Sequence, residues 1–248
     1  MSPIEISAIV FACVFGGSIV GMLLRPILPQ QHLNADTKDV IKLGVGLIGT
    51  MTALVLGLLV ASAKGAYDTR RAELTQMAAN TILLDRVLAH YGPETAEIRG
   101  LLKVAVANMI NQIWAQGGEA PATPSSTREV LFDKLQELVP RTDAERLLQQ
   151  QAETMAISIG QARWLLFEQS GSSISTPFLI VVVFWLSILF VSFGLFAPPN
   201  ATVFVTLLVS AMSVAGAIFL IIELDRPFSG VIQISSAPLH NALAVLGK

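Results

Sequence analysis

The stretch that decides the fold is an uncharged run from Leu43 to Ala63, with the sequence LGVGLIGTMTALVLGLLVASA. Its 21 residues match the roughly 20 that an α-helix needs to cross a bilayer core. Three further apolar runs of similar length are Ile4 to Leu24, Pro177 to Phe196 and Val203 to Ile222. Apart from Cys13, Glu5 is the one ionisable residue in the four runs. The sequence therefore predicts an integral membrane protein with four transmembrane helices.

The charged residues are concentrated in the middle of the chain. Asp, Glu, Lys and Arg make up 14% of the residues, against about 25% in soluble domains. The segment from Lys64 to Thr176 holds 24 of these 34 residues, which predicts an aqueous domain between the second and third spans. The net charge of −2 argues against a nucleic acid as partner, because proteins that bind nucleic acids present a basic face.

We therefore expect an all-α fold in four parts. Residues 1–63 form transmembrane helices 1 and 2, and residues 64–176 form a helical cytoplasmic domain. Residues 177–222 form transmembrane helices 3 and 4, and residues 223–248 form a cytoplasmic C-terminal tail. The positive-inside rule gives this orientation, because Lys64, Arg70, Arg71 and Arg86 follow the second span closely. Three basic residues in the first connection, Arg25, Lys38 and Lys42, favour the opposite orientation.

Helical periodicity continues through the charged region. The second span runs on without proline to Tyr91, about 70 Å in all, and Gly92-Pro93 ends it. Apolar seams at helical spacing are predicted in three helices: Leu74, Met77, Thr81, Leu84, Leu88 and Tyr91; Ile98, Leu102, Ala105, Met109 and Ile113; Leu148, Ala152, Met155, Ile159, Ala162 and Leu166. These seams either bury the core of one subunit or also pack against other subunits as a cytoplasmic funnel.

Loops and helix starts follow from the turn and capping residues. The segment from Gly117 to Thr127 is rich in Gly, Pro, Ser and Thr and predicts a loop. Two capping boxes, Ser126 with Glu129 and Thr142 with Glu145, predict helices that begin near Thr127 and Asp143. The second of these helices is expected to stop at Gly171.

Signatures of catalysis and of cofactor or metal binding are missing, so the sequence predicts a protein that is not an enzyme. Gly44, Gly46 and Gly49 form a G-x-G-x-x-G pattern, but they lie in a membrane span rather than after a strand. Neither a catalytic residue, a cofactor nor a metal ligand is predicted. The three histidines are far apart in sequence: His32, His90 and His240.

Small residues recur at helical spacing along one face of the second span. Such faces most often let two membrane helices approach closely. The alternative is that this face, or the hydroxyls of Thr50 and Thr52, lines a conduction path, because a pore wall avoids fixed charge and offers some polarity. The candidate pore-lining residues are Gly46, Thr50, Ala53, Leu54, Gly57, Leu58 and Ala61. The fourth span carries a similar face at Thr206, Ser210, Ser213 and Ala217.

Charged residues at the ends of the spans have two interpretations. They are either side chains that reach out of the membrane to anchor the helices, or the charged mouth of a pore, where rings of Lys or Arg attract anions. The candidates are Lys38, Lys42, Asp225 and Arg226.

Two longer segments resemble a known family. The segments from His32 to Lys64 and from Ile222 to Leu243 are similar to those of the bacterial bestrophin-like family of unknown function. The resemblance to bestrophins implies a pentameric anion channel with four spans per subunit and a pore neck on the second helix, here around Thr50 to Leu58. Two departures are the absence of aromatic neck residues in that span and of an obvious acidic calcium clasp.

We therefore expect a homo-oligomeric, bestrophin-like ion channel of the bacterial inner membrane that favours anions. Its partners are the lipid bilayer, further copies in a ring and small inorganic ions. Two alternatives remain open. One is a membrane-anchored scaffold or sensor that recruits a partner through its cytoplasmic helices, and the other is a proton-channel subunit of stator type, which would need a membrane carboxylate from elsewhere.

Overall fold

The computed structural model describes residues 2–29, 35–115, 126–168, 176–198 and 200–248. Within these ranges the backbone forms eight α-helices and one short 3₁₀ turn, Pro93–Thr95, and no strand. The helices are α1 (Pro3–Leu24), α2 (Ala35–Tyr91), α3 (Ala96–Ala115), α4 (Ser126–Gln136), α5 (Asp143–Glu168), α6 (Thr176–Phe196), α7 (Ala201–Leu224) and α8 (Ala237–Val245). The prediction of an all-α fold is confirmed.

Among the described residues, four helices are long and apolar enough to cross a membrane: α1, α2 from Thr37 onward, α6 and α7. They contain the four apolar runs that the sequence marks. The chain forms two compact units, and the boundary falls inside α2, between Ala66 and Tyr67. Unit 1 comprises Met1–Ala66 and Ser172–Asp225, and unit 2 comprises Tyr67–Gly171 and Arg226–Lys248.

In unit 1, α1 packs against both α6 and α7. The contact with α6 is very close at Gly21 and Gly194, where each glycine faces the backbone of the other helix. A Cβ atom on Gly194 would collide with the Ser18 carbonyl, and one on Gly21 would collide with the Val191 carbonyl. Two glycines thus allow the backbones to touch, the usual use of small residues in membrane helices.

The long second helix is continuous over 57 residues, which gives it a length of about 86 Å. It starts eight residues before Leu43, where the apolar run begins. The predicted seam in its later part is confirmed, because Leu74, Met77, Thr81, Leu84 and Leu88 are all buried.

Unit 2 has one hydrophobic core, to which α2, α3, α4, α5 and α8 contribute. The predicted seam of α3 is confirmed, with Ile98, Leu102, Met109 and Ile113 buried. On α5, Ala152 and Leu166 are buried, while Leu148, Met155, Ile159 and Ala162 are half-buried.

The start of α5 agrees with the predicted capping box, with one difference. The Thr142 hydroxyl accepts a hydrogen bond from the Glu145 amide at 3.1 Å, but the Glu145 carboxylate accepts one from the Arg141 amide rather than from Thr142. Four other predictions lie wholly or partly outside the described residues: His32, most of the loop Gly117 to Thr127, the Ser126 side chain of the first box, and Gly171.

The C-terminal segment is more ordered than a tail. It forms α8 and places Phe228, Ile234, Leu239 and Leu246 in the core of unit 2. The Trp114 indole packs edge-on against Phe228 and donates a hydrogen bond to the Ile234 carbonyl at 2.9 Å. This segment is therefore part of the core of unit 2.

Candidate functional site

All seven residues proposed to line a pore lie on one exposed face of α2 within unit 1. The large side chains Leu54 and Leu58 are 77% and 68% exposed, and no atom of another element lies within 4 Å of a Cβ placed on Gly46 or Gly57. Since these residues recur every three or four positions, they form a continuous stripe. The remaining members are Thr50, Ala53 and Ala61. We call these seven residues the α2 stripe.

The opposite face of the same helix segment packs inside unit 1. Leu59 and Ala63 are buried there, and Val45, Ile48 and Val55 pack against the same hydrophobic cluster. A Cβ on Gly49 would lie 3.9 Å from the Leu189 side chain of α6, which is an ordinary contact. The segment of α2 from Leu43 to Ala63 therefore has one exposed face and one buried face, and both faces are uncharged.

The two threonines of the span lie in different environments. Thr50 is exposed on the α2 stripe and donates its hydroxyl to the Leu47 carbonyl at 2.8 Å. Thr52 is 2% exposed and donates to the Ile48 carbonyl at 2.7 Å. Of the two hydroxyls that the sequence proposed for a conduction path, only Thr50 is on the exposed face.

A second uncharged face is exposed on α7. Thr206, Ser210 and Ser213 are exposed there, and Ala217 is half-buried. The Thr206 and Ser213 hydroxyls donate to the carbonyls of Thr202 and Val209, so helix backbone satisfies each of them. Hydroxyls satisfied in this way keep a surface mildly polar without fixed charge.

The proposed mouth charges are arranged unevenly. Lys42 is exposed and forms an ion pair with Asp39 at 3.1 Å, and Lys38 is half-buried one turn earlier on the same helix. At the end of α7, Arg226 is exposed, whereas Asp225 is buried. The exposed charge at the end of α7 is thus basic, whereas at the start of α2 Asp39 offsets the charge of Lys42.

Two short connections of unit 1 are joined by one further basic residue. The Arg25 guanidinium, just after α1, donates to the Ala197 carbonyl, just after α6, at 2.5 Å. The Asn200 side chain accepts from the Val203 amide at 2.8 Å and caps α7. Arg25 therefore has a structural role in holding two helix ends together.

Unit 2 contains a buried ion pair that the sequence analysis did not identify. Arg99 on α3 donates from Nε and Nη2 to the two carboxylate oxygens of Asp85 on α2, at 2.7 and 2.9 Å. The Gly247 amide lies 3.4 Å from the same carboxylate, and Arg99 also donates to the Lys248 carbonyl at 3.1 Å. The pair thus connects α2 and α3 with the segment after α8.

The environment of this pair changes both pKa values. Asp85 lies outside the apolar run Leu43 to Ala63. Burial raises the pKa of its carboxyl. Hydrogen bonds from Arg99 and the Gly247 amide, together with the charges of Arg99 and Arg86, lower the pKa by more than burial raises it, so the net pKa is below its ordinary value. The hydrogen bond to Asp85 raises the pKa of Arg99 despite partial burial. Both groups are therefore charged at neutral pH.

Within the residues that the structure describes, no three His, Cys, Asp or Glu side chains come together in a way that would hold a metal ion. The chemistry that the described surfaces offer is therefore an uncharged, mildly polar stripe with basic residues near its end. Such a stripe can form a wall for the passage of ions or small polar molecules.

Comparisons with known proteins show the family of the chain and a similar fold. A family model described as the bestrophin-like domain matches residues 11–239. A solved structure of a bacterial bestrophin homologue from Klebsiella pneumoniae is similar in fold, with a TM-score of 0.58, 13% sequence identity and 96% of each chain covered. The search of curated proteins gave no match.

Proposed function

This chain belongs to the bestrophin-like family, and on that premise we propose that copies of it form an ion channel in which α2 lines the pore. The observation that carries the proposal is the α2 stripe, seven uncharged residues that are all exposed in the single chain. An exposed stripe of small and apolar residues in a membrane helix needs lipid, another helix or a pore beside it. The two threonine environments favour the pore, because the exposed face carries the Thr50 hydroxyl.

One helix cannot enclose a passage, so the proposal requires several copies around an axis. Closed rings of identical subunits are the ordinary way in which such an axis arises. Membership of the bestrophin-like family supports the ring, and we propose five copies because the resemblance to bestrophins implies a pentamer. The uncharged α7 face with Thr206 and Ser213 is then available for contacts between neighbouring copies or with lipid.

Anions are the proposed cargo because Lys38, Lys42 and Arg226 place basic residues at the start of α2 and at the end of α7. In a ring each of these residues would be repeated in every copy, and rings of Lys or Arg attract anions. We propose the bacterial inner membrane as the location, and the positive-inside rule supports placing residues 64–176 and both termini in the cytoplasm.

A scaffold that recruits a partner is the rival proposal, and one observation favours it. Helix α5 exposes the apolar side chains of Leu147, Ile157 and Trp164 at 65%, 48% and 55%. Large exposed apolar side chains often belong to interfaces.

Ion flux through purified protein in liposomes separates them. We expect the wild-type protein to pass chloride, and Thr50→Trp to reduce the flux at least tenfold because the indole obstructs the passage. Leu23→Trp is the matched control, since it adds the same side chain at an exposed position of α1. Absence of flux from well-folded oligomers across a range of pH, or equal flux from the two variants, would contradict the proposal.

A further inference from the structure

A cavity of about 240 Å³ lies among the helices of unit 2. Its lining comes from α2, α3, α4 and α5, so it lies entirely within the one unit. Five of the lining side chains are apolar and at most 7% exposed: Leu84, Leu102, Val106, Met109 and Leu131. Beside such side chains an apolar group is favoured over water, because a buried water molecule needs several polar partners.

Small residues on two helices leave this space open. Ala156 and Gly160 are one turn apart on α5, and Ala105 lies on α3. No atom of another element lies within 4 Å of a Cβ placed on Gly160, so a longer side chain has room at this position. By proportion to an apolar cavity of about 150 Å³ that binds benzene, the volume accommodates roughly ten non-hydrogen atoms.

The cavity reaches the surface of unit 2. Asn108 on α3 and Ile157 on α5 line it and are exposed, whereas Leu84 and Leu102 line it and are buried. A ligand can therefore enter from solution and still contact buried apolar side chains.

The charge that borders the cavity already has partners within the protein. Among the described residues that line the cavity, Arg163 alone is charged. Its Nη2 donates to the Gln112 side-chain oxygen at 3.3 Å, and Arg163 has a further partner as well. An ionised ligand would lose its hydration without gaining an unengaged counter-charge, and that loss is costly in apolar surroundings. The lining therefore favours an uncharged ligand.

We propose that this cavity binds a small uncharged molecule with a mainly apolar body of about ten non-hydrogen atoms. The volume limits the size of the ligand, and the buried side chains from α2, α3 and α4 favour an apolar body. The engaged charge of Arg163 disfavours an ion. Concave sites lined mostly by apolar side chains with a few polar groups are typical of small-molecule binding. The proposal does not rest on ion conduction, because binding is measured directly.

Calorimetric titration of the full-length protein in detergent tests the proposal with acetophenone and benzoate as probes. The two have the same number of non-hydrogen atoms and nearly the same shape, but benzoate is an anion. We expect acetophenone to bind with a Kd below about 1 mM, as a ligand of this size can reach, and about tenfold more tightly than benzoate. Titration of each probe into detergent alone gives the heat of partitioning to be subtracted. This comparison needs no substitution in the protein.

Leucine substitutions on two helices locate the site. Gly160→Leu and Ala105→Leu enlarge the lining from α5 and from α3, so we expect each to weaken acetophenone binding at least tenfold. Cooperative thermal unfolding like that of the wild-type protein verifies that the variants are folded. Gln161→Leu is the matched control and should bind as the wild-type protein does, since Gln161 is exposed and follows Gly160 on the same helix.

Three results would each overturn the proposal. One is undetectable binding of acetophenone to the wild-type protein, and another is binding of benzoate that is as tight or tighter. The third is unchanged acetophenone binding to both Gly160→Leu and Ala105→Leu.

Discussion

Thr50 and Thr52, two residues apart on α2, have their side chains on different faces of the helix. The Thr50 hydroxyl is on the exposed α2 stripe, whereas Thr52 is buried in unit 1. Both hydroxyls donate to backbone carbonyls of the same helix, so they differ in environment rather than in hydrogen bonding. Substitutions at the buried Thr52 therefore serve as the control for substitutions at the exposed Thr50 in experiments on the pore.

The close contact between α1 and α6 predicts that a side chain at Gly194 strongly lowers the stability of unit 1. We expect Gly194→Leu to destabilise unit 1 by about 1–3 kcal/mol or more, because the added side chain meets the Ser18 backbone, which cannot move aside alone. Thermal unfolding followed by size-exclusion chromatography measures the effect. Gly16→Leu is the control, since a Cβ at that position meets nothing within 4 Å. Equal melting temperatures of the two variants would refute the close contact.

The buried ion pair between Asp85 and Arg99 predicts a much larger loss of stability on mutation than an exposed ion pair does. We expect Asp85→Asn to cost about 3–5 kcal/mol in the free energy of unfolding, because it leaves the largely buried Arg99 charge without its carboxylate. The exposed ion pair of Asp143 with Arg146 is the control, and Asp143→Asn should leave denaturant unfolding unchanged within error. A small loss for Asp85→Asn would mean that the pair is not buried in the assembled protein.

The same pair predicts a loss of stability in acid. Because the folded-state pKa of Asp85 is below the unfolded value of about 3.9, its contribution is fully present above that pH. The contribution decreases as the pH falls below about 4 towards the folded-state pKa. We expect the unfolding free energy of the wild-type protein to fall more steeply than that of Asp85→Asn in this range. Parallel pH profiles of the two proteins would remove Asp85 from the acid response.

The basic residues at the start of α2 predict the ion preference. We expect Lys42→Glu to shift the permeability ratio of chloride to sodium several-fold towards the cation, because the ring of positive charge becomes negative. Reversal potentials under a salt gradient measure this ratio. Lys42→Arg keeps the charge and should keep the preference, so a similar shift in both variants would exclude an electrostatic cause.

Periodicity made much of the fold predictable from sequence. The apolar runs and the seam from Leu74 to Leu88 follow from the spacing of residues within one helix, which the backbone geometry fixes. The contact of Gly21 with α6 and the pairing of Asp85 with Arg99 join different helices, so no local pattern reveals them. Helix α8 was missed for a related reason, because a nine-residue helix gains its stability from the core that it joins.

The sequence predicted which residues form the α2 stripe, because small residues at intervals of three and four positions lie on one face of a helix. Sequence alone gave no reason to separate Thr50 from Thr52, since burial depends on how α2 packs in unit 1. Asp225 illustrates the same limit, because its position after α7 suggested a surface charge and packing buries it.

The central claim, that the α2 stripe lines an ion pathway, is tested most directly by cysteine modification during current recording. Cys13 is the only cysteine in the chain, so a Cys13→Ala background is free of other reactive thiols. We predict that a charged methanethiosulfonate reagent changes the current through Thr50→Cys channels several-fold and leaves Thr52→Cys channels unchanged. An unaltered current through Thr50→Cys channels, with labelling of the thiol verified by mass spectrometry, would contradict the account.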